Sequence, residues 1–161
     1  MGANRIPIIN TGFTKGDSGL AQRLRREIEG EVLFDAFSRG RYSTDASHYQ
    51  IEPLGVVVAK TEQDVRTAME IAAEEGIPLL PRGGGTSQCG QTIGEALIVD
   101  VGKHLNKILD FDAEAGTASV EPGIALDQLN AFLSHDPADA LAQADAADAA
   151  DAADYLVFWS S

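Results

Sequence analysis

The stretch PRGGGTSQCGQ, at residues 81–91, decides how the rest of this chain is interpreted. It follows an apolar run at residues 77–80 that is typical of a strand, and it contains three consecutive glycines, two hydroxyl side chains and an arginine. A segment with so few β-carbons allows several backbone N–H groups to approach one anion closely. The hydroxyl groups and the guanidinium add further hydrogen-bond donors. The sequence therefore predicts a phosphate-binding loop.

Two common phosphate-binding motifs do not fit this stretch. Residues 85–92 reproduce the glycine spacing of the P-loop, but Gln91 stands where that motif requires a lysine. The dinucleotide motif G-x-G-x-x-G also fails, because Gln88 replaces its last glycine and a strand-like run at residues 96–100 follows instead of a helix. A glycine loop between two strands is therefore a different kind of anion site.

The pattern before the glycine loop predicts a strand, a helix and a second strand. The unbroken apolar run at residues 55–59 is typical of a buried strand. Thr61 is a suitable N-cap for a helix that Gly76 ends, and residues 77–80 form the next strand. Such a unit normally has parallel strands. We expect the loop to leave the carboxyl end of a parallel strand, where α/β ligand sites usually lie.

Further elements are predicted on both sides of this unit, which gives an α+β fold. On the upstream side we expect a helix, whose N-cap is Asp17 or Ser18, and then a polar loop at residues 38–50. The downstream pattern predicts a strand at residues 96–100 and a two-stranded hairpin formed by residues 108–111 and 117–120. A helix at residues 126–133 follows the hairpin.

Composition excludes some classes of function. The chain has 161 residues, 12 basic and 25 acidic side chains, and a net charge of −13, so we expect no nucleic-acid partner. Its single cysteine excludes an internal disulfide, and its scattered histidines lack the spacing of metal ligands, so no metal site is predicted. The start of the chain lacks a signal-peptide pattern, and no apolar run is long enough to span a bilayer. We therefore predict a cytoplasmic location.

The glycine stretch and three further segments resemble one family of flavoproteins. The segments are RYSTDASHYQIEPLGVVVAKTEQDV at residues 41–65, ALIVDVGKHLNKIL at 96–109 and ASVEPGIALDQLNAFL at 118–133. In this order they resemble the FAD-linked oxidases, which share the vanillyl-alcohol-oxidase type of FAD-binding domain. Within that family they most resemble the glycolate oxidase and D-lactate dehydrogenase flavoproteins.

The resemblance implies a division of the chain and a function. Residues 51–134 would form the first α/β part of a two-part FAD-binding domain, after an N-terminal helix and loop at residues 1–50. The function implied is that of the FAD-binding segment of an oxidoreductase, which oxidises a small 2-hydroxy acid such as glycolate or D-lactate. The cofactor-binding residues implied are Pro81, Arg82, Gly83, Gly84, Gly85, Thr86, Ser87, Gly90, Gln91, Pro122 and Gly123.

The resemblance also concerns the linkage of the flavin and the turn at Pro122 and Gly123. In some relatives a histidine of the glycine loop bonds covalently to the flavin, but Thr86 stands at that position here, so the resemblance implies non-covalent FAD. For Pro122 and Gly123, a plain turn from strand to helix is an equally good interpretation. No catalytic residue is predicted, because the catalytic histidines and arginines of the family lie outside the matched segments.

Residues 135–161 depart from the family pattern. Aspartates recur at every third position from Asp145 to Asp154 in a background of alanine, a spacing that follows neither the helical nor the strand period. We interpret this segment as a low-complexity tail, and the absent second part as the sign of a truncated or frameshifted product that is inactive alone. Two alternatives stay open: a nucleotide-phosphate binding module without flavin chemistry, and a non-functional fragment that cannot hold FAD.

Overall fold

The computed structural model describes residues 15–16, 18–112 and 115–134. The chain divides into two units, Met1–Gly123 and Ile124–Ser161. The elements, in chain order, are α1 (Ser18–Glu27), β1 (Glu31–Leu33), α2 (Ala36–Arg41), β2 (Gly55–Val58), α3 (Glu62–Glu75), β3 (Leu79–Arg82), β4 (Leu97–Asp100), β5 (Ile108–Asp112), β6 (Thr117–Val120) and α4 (Leu126–Ser134).

Four strands of the first unit form a sheet in the order β1-β2-β4-β3. β4 lies between β2 and β3 and is parallel to both, whereas β1 is antiparallel to β2. The last residues of the three parallel strands are paired, since Asp100 is opposite both Val58 and Arg82. The predicted strand–helix–strand unit is therefore confirmed as parallel, but β4 is inserted between its two strands.

Both faces of this sheet are covered, which explains the unbroken apolar runs of its central strands. On one face, Val57 and Val99 pack with buried side chains of the two long helices, such as Leu24 of α1 and Ile71 of α3. The opposite face has its own cluster, in which the buried and partly buried members are Val56, Val58, Ile98, Leu33, Tyr42 and Leu80.

The start of α3 is held by the buried side chain of Asp64, which is 3% exposed. Thr61 caps this helix, because its hydroxyl accepts the N–H of Asp64 at 3.1 Å, and the Asp64 carboxylate accepts the N–H of Thr61 in return. The same carboxylate accepts the N–H groups of Lys60 and Glu29, both at 2.9 Å. Asp64 thus joins the start of α3 to the turn between α1 and β1.

The remaining predicted elements are confirmed, although the bounds of one strand were wrong: the strand predicted at residues 77–80 spans Leu79–Arg82. β3 ends at Arg82, so Pro81 and Arg82 belong to the strand and not to the loop. A proline fits here because β3 is an edge strand: the carbonyl groups of Pro78 and Arg82 accept N–H groups of the β4 side, so the nitrogen of Pro81 faces the open edge. The loop itself therefore begins at Gly83.

The prediction was also incomplete before β2. The expected polar loop at residues 38–50 starts inside α2, whose N-cap Asp35 accepts the N–H of Ser38 at 2.8 Å. β1 was missed because three residues with one buried side chain, Val32, are too few to show an alternating pattern. The predicted cap Asp17 and the tail at residues 135–161 lie outside the described residues.

The two-stranded hairpin and the last helix are confirmed as β5 with β6, and as α4. Among the described residues, none of the helices combines the length and the apolar character that crossing a membrane requires.

We predict that Asp64→Ala lowers the free energy of unfolding by about 3 kcal/mol, because it leaves three partly buried backbone N–H groups without their acceptor. Urea denaturation followed by circular dichroism measures the change. Glu70→Ala, at an exposed position of the same helix, is the matched control and should shift the value by about 0.5 kcal/mol or less. Equal effects of both substitutions would contradict the role given to Asp64.

Candidate functional site

A cavity of about 350 Å³ opens where the parallel strands end. Its walls come from the end of α2, the end of β3 with the glycine loop, the turn after β4, and the Pro-Gly turn after β6. The lining residues are Arg41, Tyr42, Arg82, Gly83, Gly84, Asp100, Gly102, Lys103 and Gly123. The structure thus brings four of the predicted site residues to this lining, and leaves out Pro81, Gly85, Thr86, Ser87, Gly90, Gln91 and Pro122.

Gly83 and Gly84 leave space that the protein itself does not fill. A β-carbon on Gly83 would have no protein atom within 4 Å, and one on Gly84 would meet only a methyl group of Thr86, at 3.6 Å. Neither residue has a positive φ. Neither packing nor backbone conformation therefore explains glycine at these two positions, whereas a bound group that approaches the backbone closely would explain both.

The first backbone N–H groups of the loop are available to a ligand. Within the described part of the chain, no acceptor bonds to the N–H groups of residues 83–86. Further along the loop, the N–H groups of Cys89 and Gln91 donate to the hydroxyl of Ser87, both at 3.3 Å. Successive unbonded N–H groups beside a cavity form an arrangement that suits an anion such as phosphate.

Arg82 connects the glycine loop to the segment after α2. Its Nη2 donates to the carbonyl of Thr44 at 2.8 Å, and its Nη1 donates to the carbonyls of Tyr42 and Thr92, at 3.3 and 3.4 Å. The guanidinium also lies over the Tyr42 ring, 5.1 Å from its centroid. Arg82 therefore positions the loop, and a direct contact of its charge with a cofactor stays a prediction.

Ser87 and Gln91 bond to each other. The Ser87 hydroxyl donates to the side-chain oxygen of Gln91 at 2.5 Å and accepts the Gln91 N–H. These contacts stabilise the distal half of the loop. The direct cofactor contacts predicted for both residues, and for Thr86 and Gly90, stay predictions.

Gly123 forms another wall of the cavity. Its N–H donates to the carbonyl of Leu105 at 2.7 Å, and a β-carbon there would overlap the carbonyl oxygen of Val101. Close packing of two backbones therefore requires glycine here, and its N–H is already bonded. This geometry matches the plain strand-to-helix turn, while the cofactor contact of Pro122 and Gly123 stays a prediction.

Tyr42 and Asp100 line the cavity and were not singled out from the sequence. The Tyr42 hydroxyl donates to Asp100 Oδ2 at 2.6 Å, and the N–H of Gly102 donates to Asp100 Oδ1 at 2.8 Å. Burial, and then the bond to Asp100, raises the pKa of Tyr42 far above its ordinary value, so the hydroxyl keeps its proton. An aspartate that ends an apolar strand was a usable signal, but no local signal pointed to its partner.

The charge of the cavity lining is opposite to that of the whole chain. Among the described residues, the lining has three basic side chains, Arg41, Arg82 and Lys103, and one acidic side chain, Asp100. The lining therefore has a formal excess of two positive charges in a chain of net charge −13. Lys103 is also paired with Glu31, with 2.5 Å between Nζ and Oε1. A small dianion fits this balance of charge.

A model of the family described as "FAD binding domain" matches residues 53–145. The chain belongs to this family. It is 42% identical over 107 residues to D-2-hydroxyglutarate dehydrogenase of Escherichia coli (strain K12), a match that covers 65% of the chain and 10% of the relative. It is 38% identical over 113 residues to glycolate oxidase subunit GlcD of Bacillus subtilis (strain 168), covering 67% of the chain and 24% of the relative. The chain thus spans about a tenth to a quarter of these relatives.

Solved structures support the fold of this FAD-binding-domain family member. A structure of p-cresol methylhydroxylase with substrate bound matches with a TM-score of 0.60 at 24% identity, over 76% of this chain and 25% of that one. Alkyldihydroxyacetonephosphate synthase matches with a TM-score of 0.62 at 19% identity, over 71% and 26%. At these identities the likeness shows the fold alone, and it confirms the predicted α+β architecture.

We predict that Gly85→Ala destabilises the loop, whereas Gly83→Ala does not. Gly85 has a φ of +67°, and its added β-carbon would stand 2.5 Å from Nη2 of the hydrogen-bonded Arg82. We expect the free energy of unfolding to fall by about 1–2 kcal/mol for Gly85→Ala and by less than about 0.5 kcal/mol for Gly83→Ala. Thermal and urea denaturation measure both, and equal stabilities would contradict the described loop geometry.

Proposed function

We propose that this chain holds the diphosphate of FAD non-covalently, as part of a flavoprotein that oxidises a small 2-hydroxy acid. The binding residues proposed lie within residues 81–91 and at Pro122 and Gly123. One observation carries the proposal: the backbone N–H groups of residues 83–86 are unbonded, and the first two of these residues line a cationic cavity in a member of the FAD binding domain family. The absence of side chains at Gly83 and Gly84 fits a cofactor phosphate that approaches the backbone.

Each part of the site has a defined task in this proposal. FAD, when bound, supplies the ring that accepts the hydride. The N–H groups of residues 83–86 donate charge-assisted hydrogen bonds to phosphate oxygens, each of which stabilises the complex by about 1.5–3 kcal/mol. Arg82 keeps these donors in place through its bonds to the carbonyls of Thr44 and Thr92. Thr86, in place of a histidine, leaves the cofactor without a covalent link.

The substrate class follows from the relatives. Their names specify D-2-hydroxyglutarate, glycolate and D-lactate, the last from the D-lactate dehydrogenase of Kluyveromyces lactis at 28% identity. All three are small 2-hydroxy acids, and this shared chemistry supports the proposal. We assign no catalytic residue within the described part of the chain. A cytoplasmic location and the absence of a nucleic-acid partner stay predictions from the composition.

We predict that Gly84→Val raises the dissociation constants of FAD and ADP by about tenfold or more, as expected when one or more charge-assisted hydrogen bonds are lost. Its side chain would enter space that no protein atom other than the Thr86 methyl approaches. Equilibrium dialysis against FAD, ADP and riboflavin measures the change, because ADP has the diphosphate without the flavin and riboflavin has the flavin without phosphate.

The control for this experiment is Gly40→Val, at an exposed glycine of α2 whose β-carbon would also meet no protein atom. It should leave every dissociation constant unchanged. If FAD and ADP bind equally well to both variants and to the unaltered chain, the glycine loop does not hold the diphosphate. Binding of ADP with no preference for FAD would instead support a nucleotide-phosphate module without flavin chemistry.

We also predict that no 2-hydroxy acid reduces FAD bound to this chain alone, because the chain spans about a tenth to a quarter of its relatives and no catalytic residue is assigned within its described part. The protein is loaded with FAD and mixed without oxygen with D-2-hydroxyglutarate, D-lactate or glycolate, and the loss of the oxidised flavin absorption band is followed. L-lactate and 3-hydroxybutyrate test the configuration and the position of the hydroxyl group. We expect FAD to bind without bleaching by any acid, which restricts this chain to cofactor anchoring, and bleaching by one of the acids would contradict the prediction.

A further inference from the structure

One carboxylate lies in a cavity that otherwise has basic side chains and unbonded N–H groups. Asp100 ends the central strand β4, and it is the only acidic residue among the described residues of the lining. If the cavity holds the diphosphate of FAD, as proposed above, this negative charge opposes binding. The charged side chains that share the lining are Arg41, Arg82 and Lys103, and the last of these is partly neutralised by Glu31.

Two hydrogen bonds control this carboxylate. The Tyr42 hydroxyl donates to Oδ2 and the N–H of Gly102 donates to Oδ1, so each carboxylate oxygen accepts one hydrogen bond. Asp100 also pairs with Arg82 across the β3–β4 ladder, and Arg82 covers the ring of Tyr42. The carboxylate is therefore held between the end of α2 and the turn after β4.

The turn after β4 lies directly against the glycine loop. A β-carbon on Gly102 would stand 3.3 Å from the carbonyl carbon of Gly83, which is close contact between two backbones. By bonding the N–H of Gly102, Asp100 sets the position of this turn and hence of one wall of the cavity. The Tyr42 hydroxyl, bonded to Asp100, stabilises the same arrangement from the opposite side.

We propose that Tyr42 is a positioning residue for the cofactor, because its hydroxyl binds and screens the Asp100 carboxylate inside the diphosphate site. The carboxylate on its own weakens the binding of an anionic cofactor, and the tyrosine hydroxyl reduces that effect. This inference rests on the proposed function, since it concerns the same diphosphate.

The first test is Tyr42→Phe, which removes only the hydroxyl. The ring that Arg82 covers and the carbonyl that accepts its Nη1 are both retained. We expect the dissociation constants of FAD and ADP to rise by about tenfold. Asp100 loses one hydrogen-bond donor, so the negative charge of its carboxylate is less screened from the diphosphate. Tyr49→Phe is the matched control, since its hydroxyl bonds to no other described residue, and it should bind FAD as the unaltered chain does.

The second test is Asp100→Asn, alone and combined with Tyr42→Phe. Alone, it should tighten FAD binding by about threefold or more, because the opposing charge is gone and the oxygen and nitrogen of asparagine can still bond to their neighbours. In the double variant it should restore the affinity lost in Tyr42→Phe. Asp110→Asn, on the exposed strand β5, matches the change of net charge and should have no effect.

The outcomes separate this inference from the proposed function. If the unaltered chain binds neither FAD nor ADP, the proposed function fails. Suppose instead that the unaltered chain binds both ligands. If Tyr42→Phe then leaves the affinity unchanged, or if Asp100→Asn fails to restore the affinity in the double variant, only the positioning role of Tyr42 is overturned. A purely structural role for Tyr42 would give weak binding that removal of the charge does not repair. Should Tyr42→Phe not fold, Asp100→Asn alone decides: tighter binding supports the inference, and unchanged or weaker binding overturns it.

Discussion

The register of the three parallel strands is the constraint on which the rest of this structure depends. Because Val58, Asp100 and Arg82 are paired, the strands end at one level and their following segments leave the sheet side by side. The glycine loop and the turn at Gly102 come together only for this reason, and with the last residues of β3 and β4 they form most of the cavity lining. A shift of β4 by one residue would turn Asp100 to the other face of the sheet and remove the carboxylate from the site.

Arg82, at the end of β3, stabilises the conformation of the loop that follows this strand. Its planar guanidinium reaches carbonyl groups in two separate segments, at Tyr42 with Thr44 and at Thr92, which a single ammonium group could not bond in the same fixed geometry. The residue predicted as a phosphate ligand thus connects the loop to the rest of the fold. Charge, stacking and hydrogen bonding act at one position, so the loop needs few other contacts and its first N–H groups remain unbonded.

Structural elements whose signals lie in neighbouring residues could be predicted from the sequence, whereas contacts between distant residues could not. The Thr61 cap was predicted correctly, and so was a loop after β3 apart from its first two residues, because these signals lie within a few positions. The Tyr42–Asp100 bond was missed because its partners are 58 positions apart and meet only after β4 inserts into the sheet. The role of the Gly123 N–H was equally hidden, since it depends on a carbonyl group that packing brings near.

The central place of β4 has a consequence for how this chain folds. β3 has β4 as its only neighbour in the described sheet, and β4 is the last of the four strands to be synthesised. Residues 79–82 therefore have no partner strand until residue 100 has left the ribosome, and the pairing must close across a long stretch of chain. Until then the edge of β2 that β4 will cover is also open, which makes the nascent chain vulnerable to self-association at that stage.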